Sequence, residues 1–221
     1  MTTATYDPHA DWYEDYVTRA AAQFTGRVSR MLGSLLGPGN GRRYLDVACG
    51  TGIHAPGLAA LGWHPLGVDL STAQLRYART RLAVAAGDAA RLPVASASVD
   101  AAVCAVAHTD VPDYPAVIRE IARVLAPGGV FVHVGVHPCF VGAFADRSIP
   151  DRVVLTPGYG DTGHTFESWA PHGVRARVGA WHLPLAALVN AVAGAGLTVV
   201  KLAEDGSAEL PDLLGLVALK R

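Results

Sequence analysis

The chain has 221 residues, of which 51% are hydrophobic and 17% charged. It is therefore long enough for one domain with a substantial core, and too apolar to be disordered. Its 18 Lys and Arg residues against 19 Asp and Glu residues give a formal net charge of −1, which excludes the strong positive field that holds nucleic acid or an anionic membrane. Three scattered cysteines do not make a disulfide framework, so we expect a reduced, cytoplasmic protein.

The N-terminal segment, residues 1–38, is predicted to form one or two amphipathic helices that end at Gly37-Pro38-Gly39. Acidic residues precede the first apolar run, so this segment does not read as a signal peptide. Its aromatic stripe includes Tyr13 and Tyr16. We interpret residues 1–38 as a helical segment outside the core.

Short apolar runs follow, and each is typical of a strand buried on both faces. They cover Arg43–Ala48, Pro65–Asp69, Leu82–Ala86, Asp100–Val106 and Val130–Val136. Between them, Ser71 and Gln74 form a capping box for a helix to about Leu82, and a second helix covers Pro115–Leu125. This alternation predicts an α/β fold with a mostly parallel sheet.

The last part of the chain is predicted to complete that core. A helix over Pro184–Ala195 precedes two strands, Leu197–Ala203 and Leu213–Lys220. Residues 137–183, rich in Gly, Pro, His and aromatic residues, form a long insertion with a strand at Val174–Trp181. The predicted organisation is an N-terminal helical segment (1–38), a ligand-binding core (39–136), a substrate-binding insertion (137–183) and a C-terminal helix with a strand pair (184–221).

A glycine-rich loop follows the first strand, in Leu45-Asp-Val-Ala-Cys-Gly-Thr-Gly52. Gly50 and Gly52 allow a tight turn and a close approach of the backbone to a ligand. Asp69, 19 residues after Gly50, ends the second strand, where a carboxylate accepts hydrogen bonds from ribose hydroxyls. The third glycine of the dinucleotide fingerprint is replaced by Ala55.

Asp46 in the loop, Gly87-Asp88-Ala89 after the third strand and Arg123-Val-Leu-Ala-Pro-Gly-Gly129 before the fifth complete a set of motifs. As a set, they resemble class I methyltransferases that depend on S-adenosyl-L-methionine (SAM), over about Tyr44–Val136 and the closing strand pair. The resemblance implies a Rossmann-like seven-stranded sheet with an antiparallel last strand. It also implies SAM as cofactor and S-adenosyl-L-homocysteine (SAH) as product.

The resemblance also implies site residues. Asp46, Gly50 and Gly52 would lie near the methionine moiety, and Asp69 would hold the ribose. Ala48 and Cys49 of the same loop, where Gly is frequent in the family, would also contact the cofactor. By the same resemblance, residues 1–38 would form an N-terminal helical lid. The remaining residues implied around the cofactor are Leu70, Asp88, Ala89, Ala105, Val106 and Tyr13. The nearest branch is that of small-molecule enzymes, including natural-product biosynthesis, with O-methylation favoured over N- or C-methylation.

A base helps methyl transfer when the acceptor is a hydroxyl or an ammonium group. Histidine titrates near neutral pH, and His108, His137 and His182 lie after strands or before a helix, at the predicted cleft. These three are the predicted catalytic residues. Asp110 is predicted to cap the next helix, and His133 to be a hydrogen-bonded core residue.

Acceptor specificity is assigned to the aromatic residues of the insertion and to Tyr16. The predicted substrate contacts are Tyr16, Phe140, Phe144 and Trp169, which suit an apolar organic molecule. No HxH or HExxH motif occurs, so no metal is predicted.

We expect the protein to bind a small-molecule substrate and to bind neither nucleic acid nor a membrane. Whether it forms a homodimer stays open. Three alternatives also stay open: a methyltransferase for nucleic acid or protein, a dehydrogenase, and a protein that binds SAM without methyl transfer.

Overall fold

A computed structural model describes residues 4–149, 151–207 and 210–221. The strands are β1 (Arg43–Val47), β2 (His64–Asp69), β3 (Ala83–Ala86), β4 (Val99–Ala105), β5 (Leu125–Val136), β6 (Ala145–Asp146), β7 (Val154–Leu155), β8 (Leu197–Ser207) and β9 (Leu210–Lys220). The α-helices are α1 (Ala10–Thr18), α2 (Ala22–Leu36), α3 (Ala55–Ala60), α4 (Thr72–Ala78), α5 (Tyr114–Val124), α6 (Val174–Val178) and α7 (Leu185–Gly194). Short 3-10 turns cover Asp7–His9 and Ala89–Arg91.

Seven strands form one sheet in the order β3-β2-β1-β4-β5-β9-β8. The first five in this order pair in parallel, and β9 runs antiparallel to both of its neighbours. The predicted Rossmann-like sheet with an antiparallel last strand is therefore confirmed. Strand order reverses between β1 and β4, and a ligand crevice lies beyond the carboxyl ends of the strands at such a point.

Helices cover both faces of the sheet, which explains the continuous apolar runs in the strands. On one face, Ile118 and Ile121 of α5 and Leu188 of α7 are fully buried. On the other face, Val28 and Leu32 of α2 are fully buried against the sheet. Each such side chain contributes roughly 1.5–3 kcal/mol to stability, so α2 is part of the core.

Two predicted helix ends differ from those observed. Ser71 caps α4 as predicted, accepting a hydrogen bond from the Gln74 amide at 3.1 Å, but α4 ends at Ala78 because the chain turns before β3. The cap of α5 is Asp113, which accepts from the Ala116 amide at 2.9 Å. The prediction that Asp110 has this role is wrong, because Asp110 lies outside the first turn.

The N-terminal helix α1 and the turn before it are fastened to α4 by three carboxylates. Asp7 accepts a hydrogen bond from the Ser71 hydroxyl at 2.7 Å, Asp11 pairs with Arg76, and Glu14 pairs with Arg81. The Asp11–Arg76 pair is exposed and contributes little stability by itself, whereas the Glu14–Arg81 pair is mostly buried. Together, the three contacts hold α1 and the preceding turn against α4, and they thereby position Tyr6 and Tyr13.

The insertion contains the β6–β7 pair and the short helix α6. The predicted strand at Val174–Trp181 is wrong, because Val174–Val178 are helical. In the helix, Arg177 lies over the Trp12 ring of α1, with its guanidinium carbon 4.3 Å from the ring centroid, and Val178 is buried. Gly179, with φ of +74°, ends the helix.

Within the described residues, no helix combines the length and apolarity needed to cross a membrane.

Candidate functional site

Two adjoining cavities lie at the carboxyl ends of the parallel strands. The first, of about 450 Å³, is called the acidic cavity. Its described lining is Ala4, Thr5, Tyr6, Tyr13, Asp46, Ala48, Cys49, Gly50, Thr51, Ile53, His54, Asp69, Leu70, Ser71, Gln74, Asp88, Ala89, Ala90, Ala105, Val106, Ala107, Asp110, Val111, Pro112, Asp113, His164, Val178, Gly179 and Trp181. Its size is within the range of cavities that bind drug-sized ligands.

The glycine-rich loop forms one wall of the acidic cavity. Ala48 and Gly50 have φ of +56° and +55°, in the left-handed region that costs residues other than glycine roughly 1–2 kcal/mol. Asp69 fixes this loop, since one carboxylate oxygen accepts from the Gly50 amide at 2.7 Å and the other accepts from the Ser71 amide at 2.8 Å. The remaining lone pairs of Asp69 are available to a ligand, because a carboxylate accepts about four hydrogen bonds.

The charge of this cavity is strongly one-sided. Five aspartates line it, namely Asp46, Asp69, Asp88, Asp110 and Asp113, and its described lining contains no lysine or arginine. A ligand with positive charge and hydroxyl groups is complementary to these carboxylates. A pyrophosphate would face carboxylates without a compensating cation, which disfavours a dinucleotide.

Burial changes how two of these carboxylates titrate. Desolvation, followed by the charge of Asp69, raises the pKa of Asp46 to about 7. Desolvation also raises the pKa of Asp69, against the lowering effect of its backbone hydrogen bonds. A cation that binds beside Asp46 would favour its ionised form.

Eleven of the twelve residues predicted around the cofactor line the acidic cavity. The exception is Gly52, which has φ of +71° and where an added Cβ would lie only 2.5 Å from Leu82 Cδ2 and 3.4 Å from the Ala78 side chain. Gly52 therefore allows the loop to pack on α4.

The second cavity, of about 490 Å³, is called the arginine cavity. It lies between the N-terminal helices, the insertion and the start of β9. Its described lining is Tyr6, Tyr13, Tyr16, Ala20, Ala21, Phe24, Val106, Thr109, Asp110, Val136, Val141, Arg147, Ile149, Asp151, Arg152, Ser168, Trp169, Ala170, Gly173, Val174, Arg175, Gly179, Ala180, Leu210 and Asp212.

Five residues line both cavities and mark their junction: Tyr6, Tyr13, Val106, Asp110 and Gly179. Val106 has φ of +55°, which is rare for a β-branched residue and typical of strained functional sites. Asp110 is the only carboxylate shared by the two linings as described. Desolvation raises its pKa to about 7, although a side-chain hydrogen bond from Tyr6 acts in the opposite direction.

Of the predicted substrate contacts, Tyr16 and Trp169 line the arginine cavity. Phe140 and Phe144 line neither cavity. The Phe140 ring lies 4.8 Å from the His137 ring, and the buried Phe144 ring lies 5.1 Å from the His182 ring.

None of the three histidines predicted as catalytic lines either cavity as described. His108 is buried, with its ring 5.1 Å from that of His133, and its Nδ1 finds no hydrogen-bond partner among the described residues. His137 Nε2 lies 2.8 Å from a Glu204 carboxylate oxygen. Burial lowers the pKa of both His108 and His182.

Two other histidines, His54 and His164, line the acidic cavity. His54 Nδ1 lies 2.8 Å from the Ser29 hydroxyl, and burial lowers the pKa of His54 to about 4. His133 is hydrogen bonded in the core as predicted, with its Nδ1 2.8 Å from the Tyr114 hydroxyl. The described residues contain no cluster of three or more side chains placed to hold a metal ion.

Sequence reasoning missed Tyr6, Arg147, Arg152 and Arg175, and it gave Asp110 a different role. For Asp110 the sequence contains one feature that indicates a place in the site, namely its position just beyond the fourth predicted strand. The arginines had none, because only the folded insertion brings them to a common cavity.

Comparison with known proteins finds that residues 45–133 match a family model described as a methyltransferase domain. A demethylmenaquinone methyltransferase of Mycobacterium sp. (strain KMS) is 42% identical over 98 residues, which is 44% of this chain and 43% of that protein. The O-methyltransferase cnsE of Penicillium expansum is 32% identical over 145 residues, 59% of this chain and 52% of that protein. The chain thus spans about half the length of these relatives.

Among solved structures, the chain is similar to an S-adenosylmethionine dependent methyltransferase from Mesorhizobium loti. The TM-score is 0.72 at 23% identity, and the match covers 86% of this chain and 96% of that one. At 23% identity, this similarity shows a shared fold.

Proposed function

Since the chain carries a methyltransferase domain with the class I, SAM-dependent fold, we propose that it transfers a methyl group from SAM to a small organic molecule. The favoured target atom is a hydroxyl oxygen, with an amine as the next choice, and the favoured acceptor is a secondary metabolite. SAH would be the product.

The residues of the acidic cavity fit SAM. Asp69 would accept hydrogen bonds from the ribose, and Asp88, with Leu70 and Ala89, would surround the adenine. Asp46 and the glycine-rich loop would hold the methionine end. When bound, SAM supplies a methyl group that its positive sulfur activates for in-line displacement, and the cavity's carboxylates are complementary to that charge.

The junction of the two cavities is where we place the reacting atoms. Tyr13 and Val106 would confine the acceptor there, and such positioning contributes up to roughly 7–11 kcal/mol to lowering a barrier. Asp110 would accept the proton that an acceptor hydroxyl loses, because its carboxylate lies at the junction and its raised pKa suits a general base near neutral pH.

A histidine base stays a prediction from sequence. His108, His137 and His182 line neither described cavity, whereas Asp110 lines both. We therefore prefer Asp110. The division into lid, core and insertion, the cytoplasmic location and the homodimer also stay predictions.

One observation carries the proposal: an acidic cavity at the glycine-rich loop opens into a second cavity of similar size. The test incubates the purified chain with methyl-labelled SAM and fractionated small-molecule extracts. We expect label in a small molecule, with a matching amount of SAH. Label in RNA or protein alone, or SAM binding without SAH production, would contradict the proposal.

SAM affinity should depend on pH. Asp46 must be ionised to attract the cation, and with a pKa of about 7 its ionised fraction falls about ten-fold between pH 8 and pH 6. Calorimetry should show SAM binding about ten-fold more weakly at pH 6. The Asp46→Asn protein should lose this dependence, while Asp88→Asn, at an exposed position, should retain it. If SAM affinity changes with pH equally in the wild type and in the Asp46→Asn protein, this role of Asp46 is refuted.

A further inference from the structure

The two cavities differ in the sign of the charges that line them. Arginines are absent from the described lining of the acidic cavity, whereas Arg147, Arg152 and Arg175 line the arginine cavity. We propose that the acceptor is an organic acid whose carboxylate is held by Arg175. This inference rests on the proposed function and names the substrate class of the same site.

Arg175 is the strongest single indication. It lies on α6, half-buried in the wall of the arginine cavity. Its Nη1 is buried and has no hydrogen-bond partner in the described part of the chain. A buried, unpaired guanidinium N–H is costly to leave unsatisfied, and a carboxylate is the group that its planar donors match best.

The same lining contains three aspartates, Asp110, Asp151 and Asp212, and two of them compensate its arginines only in part. Asp212 is already paired, because Arg27, which does not line the cavity, binds both of its oxygens. Asp110 interacts electrostatically with Arg175, but burial raises its pKa to about 7, so at neutral pH it carries only part of a negative charge.

Arg147 adds positive charge to this lining. It donates to the backbone carbonyls of Phe140, Leu210 and Pro211, at 3.3–3.4 Å. These contacts orient the guanidinium without neutralising it. A negatively charged acceptor would therefore be attracted to this part of the cavity.

The rest of the cavity indicates the body of the acceptor. Phe24, Val141, Ile149 and Trp169 supply apolar surface, and Tyr16 adds an aromatic ring with a hydroxyl group. Such walls suit an aromatic or unsaturated skeleton. With the carboxylate at Arg175 and a hydroxyl at Asp110, the acceptor would be held at both ends.

The test compares hydroxylated aromatic acids with their methyl esters. The probes are 4-hydroxybenzoate, 4-hydroxyphenylacetate and 4-hydroxycinnamate, titrated by calorimetry into the protein saturated with SAH. We expect the best acid to bind at least about ten-fold more tightly than its ester. Arg175→Gln should abolish that preference without weakening ester binding, and Arg175→Lys should keep part of it.

Arg177→Gln is the matched control, because Arg177 lies on the same helix over Trp12 and outside the cavity lining. It should leave the preference for acids intact. Equal binding of acids and esters, no binding of any probe, or an acid preference that survives Arg175→Gln would overturn the inference. If SAH itself does not bind, the proposed function fails as well, so the two failures are distinguishable.

Discussion

Replacement of Asp69 by alanine is expected to weaken SAM binding by at least about 100-fold. A hydrogen bond to a charged group contributes about 1.5–3 kcal/mol, and two ribose hydroxyls would each donate one to this carboxylate. Asp69 also accepts from the Gly50 and Ser71 amides. The substitution therefore removes both the ligand contact and the support of the glycine-rich loop. Calorimetric titration with SAM measures the loss.

The same substitution should also lower the free energy of unfolding. Each unpaired backbone N–H costs about 1–3 kcal/mol when buried, so urea unfolding should reveal destabilisation. Asp88→Ala is the control, because Asp88 is exposed and accepts one backbone hydrogen bond, from Ala90 at 2.8 Å. It should weaken SAM binding less than ten-fold. A folded Asp69→Ala protein with wild-type affinity would remove Asp69 from the site.

Replacement of Asp110 by asparagine is expected to lower kcat by about 10²–10⁴-fold for a hydroxyl acceptor. The amide keeps the size of the side chain but cannot accept the proton. In the wild type, the rate should rise with pH through about 7, because a base works in its deprotonated form and Asp110 has a pKa of about 7. In the Asp110→Asn protein this rise should disappear. The measurement is the pH profile of SAH production with the acceptor found in the extract screen.

His108→Ala and His137→Ala distinguish the carboxylate from a histidine base. Neither ring lines a described cavity, so both proteins, if folded, should keep the rise of rate with pH. If the Asp110→Asn protein keeps the wild-type pH profile of the rate and either histidine variant loses the rise with pH, that histidine is the general base and Asp110 is not.

The sheet and the acidic cavity could be predicted from sequence because their signals are local. Continuous apolar runs locate the buried strands, and parallel strands bring the residues at their carboxyl ends together. Asp69 and Asp88 follow from that rule, Asp46 is implied by the family resemblance of its loop, and all three line one cavity. Ala48 also fits, since a small side chain tolerates its positive φ.

The arginine cavity could not be predicted, because its residues are brought together only by tertiary packing. Arg175 lies in a segment predicted as a strand, and its helix is determined by contacts such as that of Arg177 with Trp12. The prediction of His108 as a catalytic residue depended on its position after β4 and did not include the turn at Val106. With φ of +55° at Val106, the chain turns so that His108 is buried beside His133 and Asp110 reaches the junction.

The most direct test of the account is a pair of calorimetric titrations of the wild-type chain, one with SAM and one with NAD⁺. Five carboxylates and no described arginine or lysine line the acidic cavity. We therefore predict saturable one-to-one binding of SAM, displaced by SAH, and no binding of NAD⁺. Binding of NAD⁺ in preference to SAM, or binding of neither, would contradict the assignment of this cavity to the methyl donor.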